Sequence, residues 1–181
     1  NRRARGLGGN PTTCGEENLL NFKGDPYTGE NILIHEFAHA IHHSGMNMLD
    51  KTFNSRLKAL YEKTKKSGLV AGYCMSSHGE FWAEGVQSWF DSNWPNINMT
   101  MKDGTKKSIR TREELIEHMP ELAGLLREAF GDNEWRYSKI EKRMLLPHLK
   151  DFDPSKAPSF TWPKRVDEAI RIEKEKKKER R

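Results

Sequence analysis

No stretch of the chain approaches the roughly 18 consecutive apolar residues that a membrane-spanning helix needs, so a helical membrane protein is excluded. Cysteine is nearly absent: Cys14 and Cys74 are the two thiols. They cannot make a structural zinc site alone, and their spacing matches no metal-ligand pattern. They are either one disulfide closing a long loop or two inert buried thiols. Apolar residues are few as well, 35 % against 31 % charged, which is lean for a compact globule and implies solvated extensions. No secretory signal is visible, but the chain opens at Asn1 without a methionine, so that absence carries no weight.

The middle of the chain also lacks an excess of either charge. The formal net charge is +5, yet Arg2, Arg3 and Arg5 and the segment 164–181 supply all of it. Residues 6–163 are close to neutral. Basic runs at the ends read as solvated helix or arm, so no nucleic-acid partner is expected. Asn98-Met99-Thr100 is a glycosylation sequon. Together with a possible disulfide it tilts the expectation toward a secreted protein.

What is present reads as α+β and mainly helical. Residues 1–27 are Gly-rich loop with room for one short strand. Thr28 can cap a helix over 29–44, stopped by Gly45, with Ile34, Phe37, Ala38 and Ile41 at helical spacing. Asp50 can cap a helix over 51–67, whose stripe is Phe53, Leu57, Leu60 and Tyr61. A third helix over 78–91 carries Phe81, Trp82, Val86, Trp89 and Phe90. Asp103-Gly104 marks a hairpin between 97–101 and 106–109. Thr111 and Glu114 form a capping box for a helix restarted by Pro120 and ended by Gly131. A further helical stretch is expected near 134–145. Residues 147–163, with four prolines, read as a linker wrapped over the domain, and 164–181 as a charged helical or disordered tail.

The chemistry concentrates in His35-Glu36-Phe37-Ala38-His39. Residues four apart on a helix are rotated by about 40°, so both imidazoles leave one face. Glu36 is then placed to reach a metal-bound water rather than the metal. Two histidines and a glutamate within a buried helix would be costly without a cation. Two histidines still leave zinc short of the three protein ligands usual in a catalytic site. His42 and His43 are nearby, but His42 reads better as a capping or surface histidine. Glu80, in His78-Gly79-Glu80-Phe81-Trp82-Ala83-Glu84, is the stronger third candidate. Its competing reading is a capping box with Ser77. Glu84, one turn later, could accept a histidine N–H.

His35 to His39, followed some forty residues later by Glu80-Phe81-Trp82-Ala83-Glu84, resembles the gluzincin metallopeptidases, most of all the family of the anthrax lethal factor catalytic domain. The resemblance spans about residues 28–92. It implies a zincin-like domain over 1–163, with an active-site helix on a small sheet. It implies Zn2+ on His35, His39 and Glu80, Glu36 as general base, Tyr73 assisting at the transition state and Glu84 in support. Only 34 residues precede the motif, which suggests a truncated or minimal version of the fold's N-terminal part. A monomeric endopeptidase acting on a peptide or protein substrate is expected. The alternative is an inactive binding module that keeps the fold. A Cys14–Cys74 bridge, if formed, would anchor the loop that carries Tyr73.

Overall fold

The computed structural model describes residues 5–138, 147, 150–151, 153–156 and 158–179. It is about 53 % helical with two small antiparallel sheets, in agreement with the α+β, mainly helical expectation. No helix among the described residues is long and apolar enough to cross a membrane.

The chain opens with a hairpin, β1 (Gly6–Leu7) against β2 (Thr13–Cys14), followed by a single helical turn, α1 (Glu16–Leu19). The buried Asn18 side chain then organises the next loop. Its Nδ2 donates to Asp25 Oδ2, Tyr27 O and Glu30 O, and its Oδ1 accepts from Ile32 N. That clasp fixes where the motif helix α2 (Ile32–Ala40) begins. Asn31, not Thr28, is its cap, accepting from Ile34 N at 2.9 Å. Gly45 does not stop it either. A π-helical turn, Ile41–Met46, carries the helix into the short α3 (Asn47–Leu49), and Asp50 ends it in extended backbone. Along this turn His42 and Met46 both face inward.

α4 (Phe53–Ser67) buries Phe53, Leu57 and Tyr61 and ends on Gly68, whose φ of 65° is the left-handed conformation that favours glycine. A three-stranded sheet follows in pieces. β3 (Val70–Ala71) pairs with β4 (Asn98–Thr100), and β4 with β5 (Lys106–Ser108) in the expected hairpin. Between β3 and β4 run a 3-10 turn (Tyr73–Met75) and α5 (His78–Trp89). α6 (Arg112–His118) starts on the Thr111–Glu114 capping box, and α7 (Pro120–Phe130) has Pro120 in its first turn.

α5 is the central element, buried on nearly all sides from Phe81 to Trp89. It lies against α2, with Ala38 and Ala83 both buried in the core, and Trp82 Nε1 donates to Ala38 O at 2.9 Å. On another side Gly85 abuts Leu122 of α7 so closely that a Cβ would lie 2.9 Å from its Cδ2. Leu57, Leu115, Leu122 and Leu126 complete the core around Trp82 and Trp89.

The expected helix near 134–145 is not helical over Glu134–Ser138, where Tyr137 N donates to Phe90 O, and residues 139–145 lie outside the described residues. The Pro-rich segment does reach back over the N-terminal part. Ser159 bridges Lys23, and the Phe160 and Trp162 rings flank the Arg5 guanidinium. Lys164–Glu179 forms the expected charged helix.

Of the two readings open for the cysteines, the structure has the free thiols and no Cys14–Cys74 bridge, with Cys74 buried and Cys14 partly exposed. Cys74 turns into the core beneath the 3-10 turn, its Sγ toward Ala71 O at 3.8 Å, whereas Cys14 sits in the first hairpin beside Glu17 and Glu36. Burial pushes the Cys74 thiol up to about 12, keeping it inert.

Because Trp82 ties α5 to α2 by both volume and one hydrogen bond, Trp82→Phe is expected to cost about 1–3 kcal/mol. Urea unfolding checks this; an unchanged midpoint would mean that the helix pair is held elsewhere.

Candidate metal centre and cleft

His35 and His39 leave α2 on one face, and the start of α5 brings Glu80 to meet them. His35 Nε2 lies 3.0 Å from Glu80 Oε2, His39 Nε2 3.6 Å from the same oxygen, and the two Nε2 atoms 3.3 Å apart. Ligand atoms about 2.0–2.2 Å from one tetrahedral ion stand about 3.3–3.5 Å from each other. The triad therefore has the spacing of a metal-binding set before any ion is considered. Among the described residues it is the one group of three or more such side chains whose ligand atoms converge.

The rival capping-box reading of Glu80 is half right. Ser77 Oγ does accept from Glu80 N at 3.1 Å, but the Glu80 carboxylate does not return to the Ser77 backbone. It faces the two imidazoles, and the Tyr73 hydroxyl donates to it as well. His42, by contrast, is fully buried rather than a surface or capping residue. Its Nε2 meets Asn54 Oδ1 at 3.1 Å, apart from the triad, and burial lowers its pKa to about 4.

The orientation of His35 can be derived from the surrounding hydrogen bonds. Gln87 is fully buried, and its amide nitrogen donates to Asn31 O (3.1 Å) and Glu30 Oε2 (3.2 Å), both acceptors. Its oxygen therefore faces His35 Nδ1, at 3.0 Å, and can only accept. So Nδ1 carries hydrogen and Nε2 is the atom that faces Glu80 and His39: protonated, it donates to Glu80, and deprotonated, it offers its lone pair to a metal ion. Glu84, expected in this supporting role, stands 3.7 Å from Nδ1; Gln87 holds the hydrogen bond instead. Sequence reading passed over Gln87, although Glu80, Glu84 and Gln87 follow an i, i+4, i+7 pattern that places all three on one face.

The electrostatics favour positive charge at the triad. Burial alone would lower the His35 pKa, but the hydrogen bond to Glu80, the charge of Glu84 and the Gln87 carbonyl outweigh it and raise it to about 9. Burial likewise works against the Glu80 charge, yet the two histidines bring its pKa down to about 2. In the metal-free chain a proton on His35 Nε2 occupies the place of a cation.

Glu36 is half-buried on the wall of the same cleft, its pKa raised by burial, and the Gly8 N–H donates to its carboxylate. Gly6 and Gly8 allow this approach: a Cβ on Gly6 would lie 2.6 Å from Glu36 Cγ, and one on Gly8 2.5 Å from His39 Cβ. Tyr73 lines the cleft with its ring centroid 6.3 Å from that of His35. Burial pushes its hydroxyl up to about 12, with the Glu80 charge adding to the shift. No disulfide holds Tyr73. The 3-10 turn does, through Met75 N to Gly72 O, Ser76 Oγ to Tyr73 O and Tyr61 Oη to Met75 O. Gly72, at φ 117°, presses against Asn96 O, where no side chain fits.

The cleft has a volume of about 820 Å³ and is lined by Arg5–Gly8, the triad, Glu36, Tyr73, Glu30, Glu84 and Asn96 among others. Compared with protein-family models, curated proteins and solved structures, the chain matches none.

A metal ion has to displace the His35 proton. Below the His35 pKa of about 9, affinity should fall about tenfold per pH unit, with about one proton released on binding at pH 7. Calorimetry in buffers of different ionisation enthalpy reads this directly; pH-independent binding would contradict the assignment. Gln87→Met keeps the length and removes the acceptor, and should weaken binding about 10- to 100-fold in chelator competition. A change below about twofold would leave Gln87 a packing residue.

Proposed function

We propose that the chain is a zinc-dependent endopeptidase of zincin-like fold, related to the gluzincins, acting on peptides or proteins. The observation that carries this is the convergence of His35, His39 and Glu80 in an open cleft that also holds Glu36. Two imidazoles and a carboxylate suit zinc, and three protein ligands facing solvent space are the pattern of a catalytic rather than a closed structural site.

Zinc, when bound, supplies Lewis-acid polarisation and makes water nucleophilic near neutral pH. Glu36 takes the proton from the attacking water, for which a pKa raised by burial is apt, and returns it to the leaving amine. The Gly8 N–H keeps that carboxylate aimed into the cleft. Tyr73, still protonated at neutral pH, donates its hydroxyl hydrogen to the carbonyl oxygen as charge develops there. Gln87 keeps His35 in the tautomer that leaves Nε2 free for ligation. The exposed edge of the first hairpin offers backbone groups to an extended peptide.

Glu36→Gln preserves shape and touches no proposed ligand. It is expected to retain zinc and lose peptide cleavage by about 100-fold or more. A wild-type chain that binds zinc and cuts nothing in a random peptide library would favour the inactive binding module.

A further inference from the structure

β1 is two residues long and pairs with a strand of two, a hairpin too small to hold its position by itself. Yet the cleft depends on where it lies. Gly6 and Gly8 rest directly on Glu36 and His39, and the Gly8 N–H donates to the Glu36 carboxylate. The anchor is the residue just before β1. Arg5 donates to Glu17 from Nε, and again from Nη2 at 2.7 Å. Glu17 is 1 % exposed on α1, and its hydrogen bond from Arg5 holds the carboxyl below its ordinary value. A carboxylate buried this far is costly without its cation, so the guanidinium is bound to this place.

The same guanidinium is covered from the other end of the chain. Its carbon lies 5.0 Å from the Phe160 ring centroid and 5.8 Å from that of Trp162, both within cation–π range. The two rings meet edge to face at 5.2 Å. Backbone contacts seat them in turn. Ser159 bridges Lys23, and Phe160 N donates to Lys23 O at 2.8 Å. Gly24, at φ 90°, approaches so closely that a Cβ would stand 2.5 Å from Phe160 O. The next residue, Asp25, accepts from Asn18 in the clasp that starts α2. Residues 159–162 therefore bind the N-terminal layer at two points, before the hairpin and beside the clasp.

We propose that Phe160 and Trp162 are positioning residues for Glu36: they hold the Arg5 guanidinium on Glu17, Arg5 holds β1, and β1 holds the Gly8 N–H on the Glu36 carboxylate. The C-terminal segment is thereby part of the cleft wall. Its displacement from Arg5 opens that wall, frees the Glu36 carboxylate to turn and slows cleavage, while the triad, carried by α2 and α5, keeps its metal. The effect on cleavage rests on the peptidase reading; the hold on β1 rests on the contacts alone.

The test compares the full chain, loaded with zinc, with a Phe160→Ala/Trp162→Ala double variant. Both rings are partly exposed, so the core is left intact. Hydrogen exchange at the Gly8 amide should speed up about tenfold or more, with zinc content unchanged. In the same variant kcat for peptide cleavage should fall about 10- to 100-fold. Phe160→Tyr/Trp162→Phe keeps both rings and should behave as the wild type. Unchanged exchange at Gly8 in the alanine variant overturns the proposal, as does faster exchange with a loss confined to KM, which would leave Glu36 unaffected. If the wild type cuts nothing, the peptidase reading falls and exchange decides the clamp: protection lost with zinc retained sustains it, and protection kept overturns it. Should the alanine variant lose its near-ultraviolet circular dichroism, Arg5→Lys is read in its place. It keeps a charge for Glu17 but not the flat face that stacks, and should speed exchange at Gly8 about threefold or more; unchanged exchange there overturns the proposal.

Discussion

The structure depends on one registration: α2 and α5 must lie so that two imidazoles from one helix meet a carboxylate from the other within about 3–3.6 Å. Placing three polar groups there is unfavourable unless a cation joins them. The rest of the core fixes that registration. Trp82 ties α5 to α2 through Ala38 O, and Gln87 clamps His35 while bonding the backbone of Asn31 at the start of α2. The same side chains that pack the helices together therefore set the geometry of the site.

Charge is arranged around this point with a clear division of labour. Glu80 stays ionised because two histidines face it, while Glu36 and Glu84, more starved of partners, are pushed the other way by burial. Carboxylates of one type thus differ in proton affinity by environment alone. The backbone that carries Tyr73 is held by a short turn and by Gly72 pressed on the carbonyl of Asn96, the residue whose side chain also bridges Glu30 and Glu84. One loop contact thereby connects two lining residues of the cleft, Tyr73 and Asn96.

The parts legible in the sequence are those governed by local rules. The i, i+4 histidines, the Asp103-Gly104 hairpin and the Thr111–Glu114 box each depend on a few neighbouring residues. What escaped depends on distant partners. Asn31 displaces Thr28 as the cap because Asn18, far upstream, has already tied up the 25–30 loop. The π turn that buries His42 has no local signature, and Gly45 misleads as a stop signal. Gln87 outcompetes Glu84 for His35 by 0.7 Å, a difference set by packing rather than by spacing. Gly6 and Gly8 looked like loop residues, yet their missing side chains are what bring the first hairpin onto Glu36 and His39. Two cysteines could be paired on paper because sequence does not reveal that one points into the core.

The central claim is that His35, His39 and Glu80 together hold one catalytic zinc ion. Native mass spectrometry of the purified chain, side by side with a His35→Ala/His39→Ala double variant, addresses it with least interpretation. One zinc per folded wild-type chain and none in the double variant is the predicted result. Stoichiometric zinc retained by the double variant, or a wild-type chain that takes up none from excess zinc at pH 8, would contradict the account.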